Sequence, residues 1–480
     1  MDKTFTQKAK TALFWTATAR FGAQLFSWAS TFLVIRYINS TAYGIISLAE
    51  ISFSLFVLIS SNGLAESLIQ TKELSKNQIR NLLGFYILIC ASLFIVHISI
   101  ARPLTEYFSE PALFEVLIAL SFTFLLIPWI ALPSALLSRE MDFKKKSIAD
   151  LIASILSATI ALTMAINNFQ HWALVTSMIF MFVYQAISYC VIAKFIVVPS
   201  FHFSKIKHFI AFGSIITLTS IIWSLYTKVD LLIAGRFLTT EQIGIFAVAA
   251  SLAMLPMTKL IPIIGQVAFP LYSKKQQNQH EIKYYFLKSQ RLGGIISFPI
   301  FFGMAATGYY TLPLILGDKW SDTALPFTLL CLVVPLRFSM NLFSPATKGI
   351  GKPKVNLVNT LIMITSLSIG VIVFIDHGIL GLVLAWLVVT PIQFILCTNI
   401  SCKALNIRFK EFIQSLLPGF LASTVMAILV LSFYFKTYGW LSDFQIFIAA
   451  IIIGSLTYLA FLSLFFKETL KELTSFLKTS

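Results

Sequence analysis

Apolar runs long enough to cross a bilayer recur along the whole chain, and no other feature restricts its fold as much. A membrane helix needs about 20 mostly apolar residues. Fourteen such runs stand between charged or turn-rich breaks: 12–36, 42–70, 82–101, 113–137, 147–167, 171–194, 209–236, 242–272, 292–316, 323–347, 355–375, 378–401, 413–435 and 441–466. Lipid offers no water to backbone N–H and C=O groups, so such runs must close their hydrogen bonds internally, as helices. Charged residues make up 12% of the chain, about half the roughly 25% of soluble domains. A soluble enzyme, a disordered chain and a nucleic-acid-binding domain are excluded, because too little polar surface exists to cover a core this apolar. The expected fold class is an all-α integral membrane protein with about 14 transmembrane helices. The run at 12–36 is too long for a signal-peptide core and contains Arg20, so it reads as an uncleaved first helix.

The excess of 36 Lys and Arg over 20 Asp and Glu gives the chain its orientation. With a cytoplasmic N-terminus, the inside segments 1–11, 71–81, 138–146, 195–208, 273–291, 348–354, 402–412 and 467–480, counting Lys194 at its helix end, hold 27 of the 36 bases. Each holds at least three, and no outside loop holds more than one. That is the positive-inside pattern, and one helix more or fewer would invert every later loop. Both termini are therefore expected in the cytoplasm.

The chain also repeats itself. Arg36-Tyr37-Ile38-Asn39-Ser40-Thr41-Ala42-Tyr43-Gly44-Ile45 reads against Arg236-Phe237-Leu238-Thr239-Thr240-Glu241-Gln242-Ile243-Gly244-Ile245 at a constant offset of 200, and Ala49 falls on Ala249. A fainter echo links Arg139…Lys145 with Lys348…Lys354. Six helices return the chain to its starting side, so the halves repeat in parallel. The expected organisation is an N-lobe at 1–194, a basic cytoplasmic linker at 195–208, a C-lobe at 209–401, and two further helices with a cytoplasmic tail at 402–480.

Seven charges lie inside the spans: Arg20, Glu50, Glu66, Lys228, Asp230, Lys259 and Arg337. Each costs about 3 kcal/mol at a helix centre unless it meets a partner or a wet cavity. Four cations against three anions leave at least one base to face water or an anionic ligand. Polar residues at helical spacing point to a lined cleft. Thr16, Arg20, Gln24, Ser27 and Thr31 form one stripe; Arg337, Asn341, Ser344 and Lys348 form another. Ser47, Glu50 and Ser54 share a face of the second helix, Thr217, Ser220, Ser224 and Thr227 a face of the seventh, and Lys259 and Gln266 lie seven apart on the eighth. Lys228 and Asp230 stand about 200° apart on a helix and do not pair directly. Pro128 and Pro133, Pro256 and Pro262, and Pro335 are expected to kink their helices.

Other chemistry is absent from the sequence. The five cysteines form no CxxC pair, and the six histidines do not cluster, so no metal site is expected. Lys348-Gly349-Ile350-Gly351-Lys352-Pro353 lacks the spacer of a phosphate loop and has no strand before it. No cofactor, nucleotide or nucleic acid is expected. Pumping would draw on an H+ or Na+ gradient, the membrane potential or consumption of product. Glu50, Asp230 and Glu66 are the candidates for ion coupling, with pairing of Glu50 to Lys228 or Arg20 as the structural alternative.

Three stretches carry a family resemblance: Asn62-Gly63-Leu64-Ala65-Glu66-Ser67-Leu68-Ile69-Gln70, Leu137-Ser138-Arg139-Glu140-Met141-Asp142-Phe143 and Gly349-Ile350-Gly351-Lys352-Pro353. With two six-helix lobes, two extra helices and a cationic interior, the chain resembles the polysaccharide transporter family, the O-antigen and colanic-acid flippases of the multidrug, oligosaccharidyl-lipid and polysaccharide exporter superfamily. The resemblance implies alternating-access transfer of an undecaprenyl-diphosphate-linked oligosaccharide across the bacterial inner membrane, with polysaccharide polymerase machinery as a partner. It also implies basic and aromatic residues in the cleft, a character that Arg20, Lys228, Lys259 and Arg337 share. Arg suits phosphate by its planar fork and Lys by its point charge. Trp223 and Tyr226 are placed to stack on sugar faces, and Gln24, Gln266 and Asn341 to bond them. A drug/cation antiporter would want a net acidic cleft. A lipid-linked peptidoglycan precursor flippase is a nearer alternative. A membrane polymerase or ligase would need large outer loops, and these are about three to eleven residues.

The charge pattern fixes a test of topology. Reporter fusions at Lys146, Gln279 and Lys410 should report the cytoplasm, and those at Glu110 and Asp318 the outside. Two swapped reports would overturn the orientation.

Overall fold

The computed structural model describes residues 29–70, 75–139, 143–203, 207–275, 278–437 and 439–472, of which 61–70, 143, 207–216, 219, 262–263, 266–267 and 269–270 are described by their backbone alone. The described chain is helical: α1 (29–37), α2 (Ser40–Gln70), α3 (Lys76–Phe108), α4 (Ala112–Ser121), α5 (Ile127–Arg139), α6 (Phe143–Ile166), α7 (His171–Ile192), α8 (Lys207–Ala234), α9 (Thr240–Lys274), α10 (Gln279–Leu316), α11 (Ala324–Asn341), α12 (Phe343–Gly349), α13 (Lys354–Phe374), α14 (Gly378–Ala404), α15 (Phe409–Thr437) and α16 (Asp443–Phe465). Eleven stretches among the described residues are long and apolar enough to cross a membrane, and one of them, Lys354–Ala404, holds both α13 and α14. The expected first span lies largely outside the described residues. The helices gather into two compact units, 1–244 and 245–480. The first unit includes α8, which packs along α2.

Local chemistry sets the helix ends. Ser75 caps α3 and Ser442 caps α16, each in a box with a glutamine three residues on. The span at 113–137 breaks where proline dictates. Pro128 has no N–H to give the carbonyl four residues back, and the chain tightens to a 3-10 turn over Phe122–Leu126 just before it. In the second unit the break falls at Leu342, beyond Pro335. Pro345 explains that position, since it cannot donate to the carbonyl of Asn341. α9 stays helical through Pro256 and Pro262. At 38 residues α10 would span about 57 Å at 1.5 Å per residue, more than a bilayer core, so its basic first turns project beyond the lipid.

The sequence repeat reappears as geometry. α2 begins at Ser40 and α9 at Thr240, 200 residues apart. Asn39 caps the first, its Oδ1 accepting from Ala42 N at 2.7 Å, and Thr239 caps the second, its Oγ1 accepting from Gln242 N at 3.3 Å. The two turns meet reciprocally. A Cβ on Gly44 would lie 1.9 Å from the carbonyl oxygen of Thr240, and one on Gly244 would lie 1.8 Å from that of Ser40. Each copy of the motif therefore presses its glycine on the partner copy's first helical residue, the self-complementary contact of a two-fold interface. Ser40 Oγ donates to Glu241 Oε1 at 3.2 Å, and Thr240 Oγ1 donates to Glu110 Oε2 at 2.5 Å. The repeated arginine has a task as well: Arg236 Nη1 donates to Tyr107 O at 3.0 Å.

Gly44→Ala and Gly244→Ala should each destabilise the protein by about 1–3 kcal/mol through overpacking against backbone that cannot yield. Thermal unfolding in detergent measures this. Gly265→Ala is the control, since its added Cβ meets nothing within 4 Å, and it should be neutral or stabilising.

Candidate functional site: membrane-embedded charges

In the first unit α8 and α2 bring opposite charges together. Lys228 Nζ lies 3.0 Å from Glu50 Oε2, with side chains 24% and 41% exposed. Lys228 is thus a partner of Glu50, while Arg20, the other base expected beside it, lies outside the described residues. The pair removes two isolated charges from the span while leaving both reachable. Asp230, on the same helix, is buried, and its Oδ1 accepts from Leu231 N at 2.8 Å. Tyr226 is fully covered and Trp223 is exposed, their rings tilted and 5.5 Å apart. Of the two aromatics, Trp223 is the one that offers a ring face.

The polar stripes are less open than helical spacing suggests. Ser47 Oγ donates to Tyr43 O at 2.8 Å, Ser54 Oγ to Ile51 O at 3.5 Å and Thr227 Oγ1 to Ser224 O at 2.9 Å. These hydroxyls bond carbonyls three or four residues back, the ordinary way in which Ser and Thr are accommodated within a helix. Charge, rather than hydroxyl content, distinguishes this face.

In the second unit Arg337 is 4% exposed. Its guanidinium carbon sits 4.0 Å from the ring centroid of Trp386, which joins α11 to α14. A desolvated cation over an indole face gains about 2 kcal/mol or more. Asn341 Nδ2 donates to Arg337 O at 2.8 Å, within its own helix. Nearby, Ser339 Oγ donates to Gln290 Oε1 at 2.7 Å and Gln290 Nε2 donates to Ser339 O at 3.1 Å, pinning α10 to α11 through two buried bonds. Lys259 is exposed on α9. Arg20 and Gln24 lie outside the described residues, as do the side chains of Glu66 and Gln266. The structure thus joins Lys228 to Glu50, and Arg337 to Trp386.

Sequence reasoning missed Trp386 and Gln290. Trp386 carried a signal, since it sits eight residues into the span 378–401 and not at the interfacial ends where tryptophan gathers. Gln290 carried none, lying at the edge of a basic segment between spans. That segment holds ion pairs: Lys283 Nζ to Glu411 Oε2 at 2.8 Å, Arg291 Nε to Glu472 Oε2 at 2.8 Å and Lys275 Nζ to Glu281 Oε2 at 2.7 Å. The Glu281 carboxylate, bonding and attracting the exposed Lys275 ammonium, raises the lysine above its ordinary pKa.

A family model described as polysaccharide biosynthesis protein matches residues 33–325. The chain is 28% identical over 413 residues to the lipopolysaccharide biosynthesis protein WzxC of Escherichia coli K12, covering 82% of each chain. It is 21% identical over 421 residues to the teichuronic acid biosynthesis protein TuaB of Bacillus subtilis 168, covering 87% of each. Among solved structures it is similar to the lipid II flippase MurJ in an inward closed conformation, with a TM-score of 0.77 and 16% identity over 95% of this chain and 100% of that one. It is also similar to an inward-facing multidrug resistance transporter of the MATE family, at a TM-score of 0.61 and 12% identity, over 80% of this chain and 95% of that one. At these identities the solved structures share the fold.

The Arg337–Trp386 stack should show as non-additivity. Trp386→Leu and Arg337→Leu should each lower the unfolding midpoint in detergent, and the double variant should lose less than the sum, with a coupling of about 0.5–3 kcal/mol. Strict additivity would mean that the guanidinium and the indole merely share a space.

Proposed function

The chain belongs to the family of polysaccharide biosynthesis proteins, and on that premise we propose that it is a flippase for an undecaprenyl-diphosphate-linked oligosaccharide. The observation that carries the reading is the set of bases held within membrane spans, Lys228, Lys259 and Arg337, in a chain of two repeated helical units. A diphosphate brings about two negative charges into the membrane, and Arg and Lys are the groups that receive them. The lipid tail stays in the bilayer, and the exposed Trp223 offers the glycan a ring face. Arg20, in the first apolar run of the sequence, completes the proposed cationic set.

In this reading the protein lies in the bacterial cytoplasmic membrane with fourteen spans and both termini inside, as the loop charges support. It performs no covalent chemistry. The lobes at 1–194 and 209–401 alternate access to the two sides, with 195–208 joining them. An H+ or Na+ gradient resets the carrier, and polysaccharide polymerase machinery takes up the product. The Lys228–Glu50 pair supplies a switch for such a cycle. A diphosphate approaching Lys228 competes with Glu50 for it, so substrate arrival frees a carboxylate that then takes up a proton or cation. Binding of each ligand thereby shifts the state that the other meets.

A deletion strain should accumulate lipid-linked oligosaccharide at the cytoplasmic leaflet, and the wild-type chain should clear it. Arg337→Lys keeps the charge but loses the planar fork, and should lower export several-fold at normal membrane abundance. Glu50→Gln should fold and lose the dependence of export on an imposed pH or sodium gradient. Wild-type export from the combined Lys228→Ala, Lys259→Ala and Arg337→Lys variant would remove the diphosphate reading.

A further inference from the structure

His97 stands apart from every charge considered above. It lies within α3, fully buried, with Phe56 and Phe124 edge-on to its ring at centroid distances of 5.0 and 5.2 Å. Both ring nitrogens are engaged: Nδ1 lies 2.7 Å from Ser121 Oγ and Nε2 lies 3.2 Å from Ser52 Oγ. One side chain thus ties α3 to α4 and to α2.

The hydroxyl geometry determines the tautomer. Ser121 Oγ directs its own proton to Leu117 O at 2.7 Å, so toward His97 it can only accept, and the ring proton is on Nδ1. Nε2 is then the acceptor, and Ser52 donates to it. Ser52 also has a second outlet, Ala49 O at 3.4 Å. When Nε2 gains a proton, the Ser52 hydroxyl turns to Ala49 and accepts from the ring instead. Every donor keeps an acceptor in both states. An amide bridging the same hydroxyls could not take up a proton, and imidazole is the side chain whose unperturbed titration falls near neutral pH.

We propose that His97 is a proton-binding site, and that α2 reads its charge through Ser52. The proposal rests on the ion-coupled flippase reading and names its ion as H+. Among the described residues, hydroxyls and phenyl rings surround the imidazole. The ionisable groups on the elements packed against α3 point elsewhere. Glu50, two residues before Ser52, faces the opposite side of α2, where it meets Lys228. Tyr43 is nine residues before Ser52, again about half a turn away. Glu115 is exposed on the first turn of α4, and Arg139 closes α5 at its far end. On α3 itself, Arg102 and Glu106 form an exposed pair. Among the described residues, a cation at His97 therefore meets no counter-charge in this arrangement. Protonation favours a conformation in which α2 moves off α3 and hydrates the ring, as an intramembrane ionisable group coupled to transport requires.

The test separates the site from the transport reading. Histidine-labelled protein in nanodiscs, followed by nitrogen NMR, should show one resonance with its proton on Nδ1 that takes up a second proton on Nε2 as the pH is lowered and vanishes in His97→Gln. In cells, wild-type export should change several-fold with pH, and His97→Gln should flatten the profile at normal membrane abundance. If His97→Gln fails to accumulate, Ser52→Ala, which keeps the ring, should shift the midpoint of both titration and export. A ring that stays neutral throughout overturns the proposal, as does a wild-type pH profile in His97→Gln or an unmoved midpoint in Ser52→Ala. If the flippase reading alone is wrong, the NMR titration survives while deletion leaves lipid-linked glycan unchanged.

Discussion

Lipid gives a polar group nothing to bond to, and that constraint shapes the protein at three scales. At the scale of the backbone it forces helices, and it allows a break only where other groups receive the freed carbonyls. The 3-10 turn before Pro128 is such an adjustment, shortening the bonds rather than abandoning them. At the scale of a single side chain it turns serine and threonine hydroxyls back onto their own helix, as in Ser47 and Thr227. At the scale of charge it calls for partners from other helices: Glu50 for Lys228, Trp386 for Arg337.

The first and third of these scales differ in how well a sequence displays them. Run length and loop charge are long-range sums, so they survive ignorance of packing. The later spans coincide with helices, and the repeat at 36–45 and 236–245 returns as two equivalent capped turns. The break at Leu342 was harder, because Pro335 and Pro345 both qualify and only the packed chain selects between them. Partner choice was harder still. Glu50 had Lys228 and Arg20 as candidates, and its contact with Lys228 depends on α8 lying along α2, which no periodicity encodes.

His97 and Trp386 show the same limit from the other side. A search for clusters of like chemistry in sequence passes over a lone histidine, because its partners are two serines that look like any others. Trp386 reads as one more aromatic in an apolar run. Each becomes informative only when the neighbour across the helix interface is known. The cationic set was legible as a list of costly residues, since burial cost belongs to the residue type; what each base does belongs to its surroundings.

α2 carries three constraints within a short length. Gly44 to Ser52 is eight residues, about 12 Å along the axis. In that distance the helix makes the glycine crossing at its first turns, the Glu50 pair toward α8 and the Ser52 bond toward α3. Glu50 and Ser52 are about 200° apart, so the last two contacts pull on opposite faces. A close-packed interior does not stretch to serve both; it moves between discrete packings. A roll or shift of α2 that releases His97 must therefore also alter the reach of Glu50 to Lys228, while the glycine crossing leaves no room at that end for slack. Charge on one face of the helix is thereby linked mechanically to charge on the other. In the proposed cycle, a proton and an anionic ligand then influence each other without sharing a site, through the rigid-body position of α2 alone.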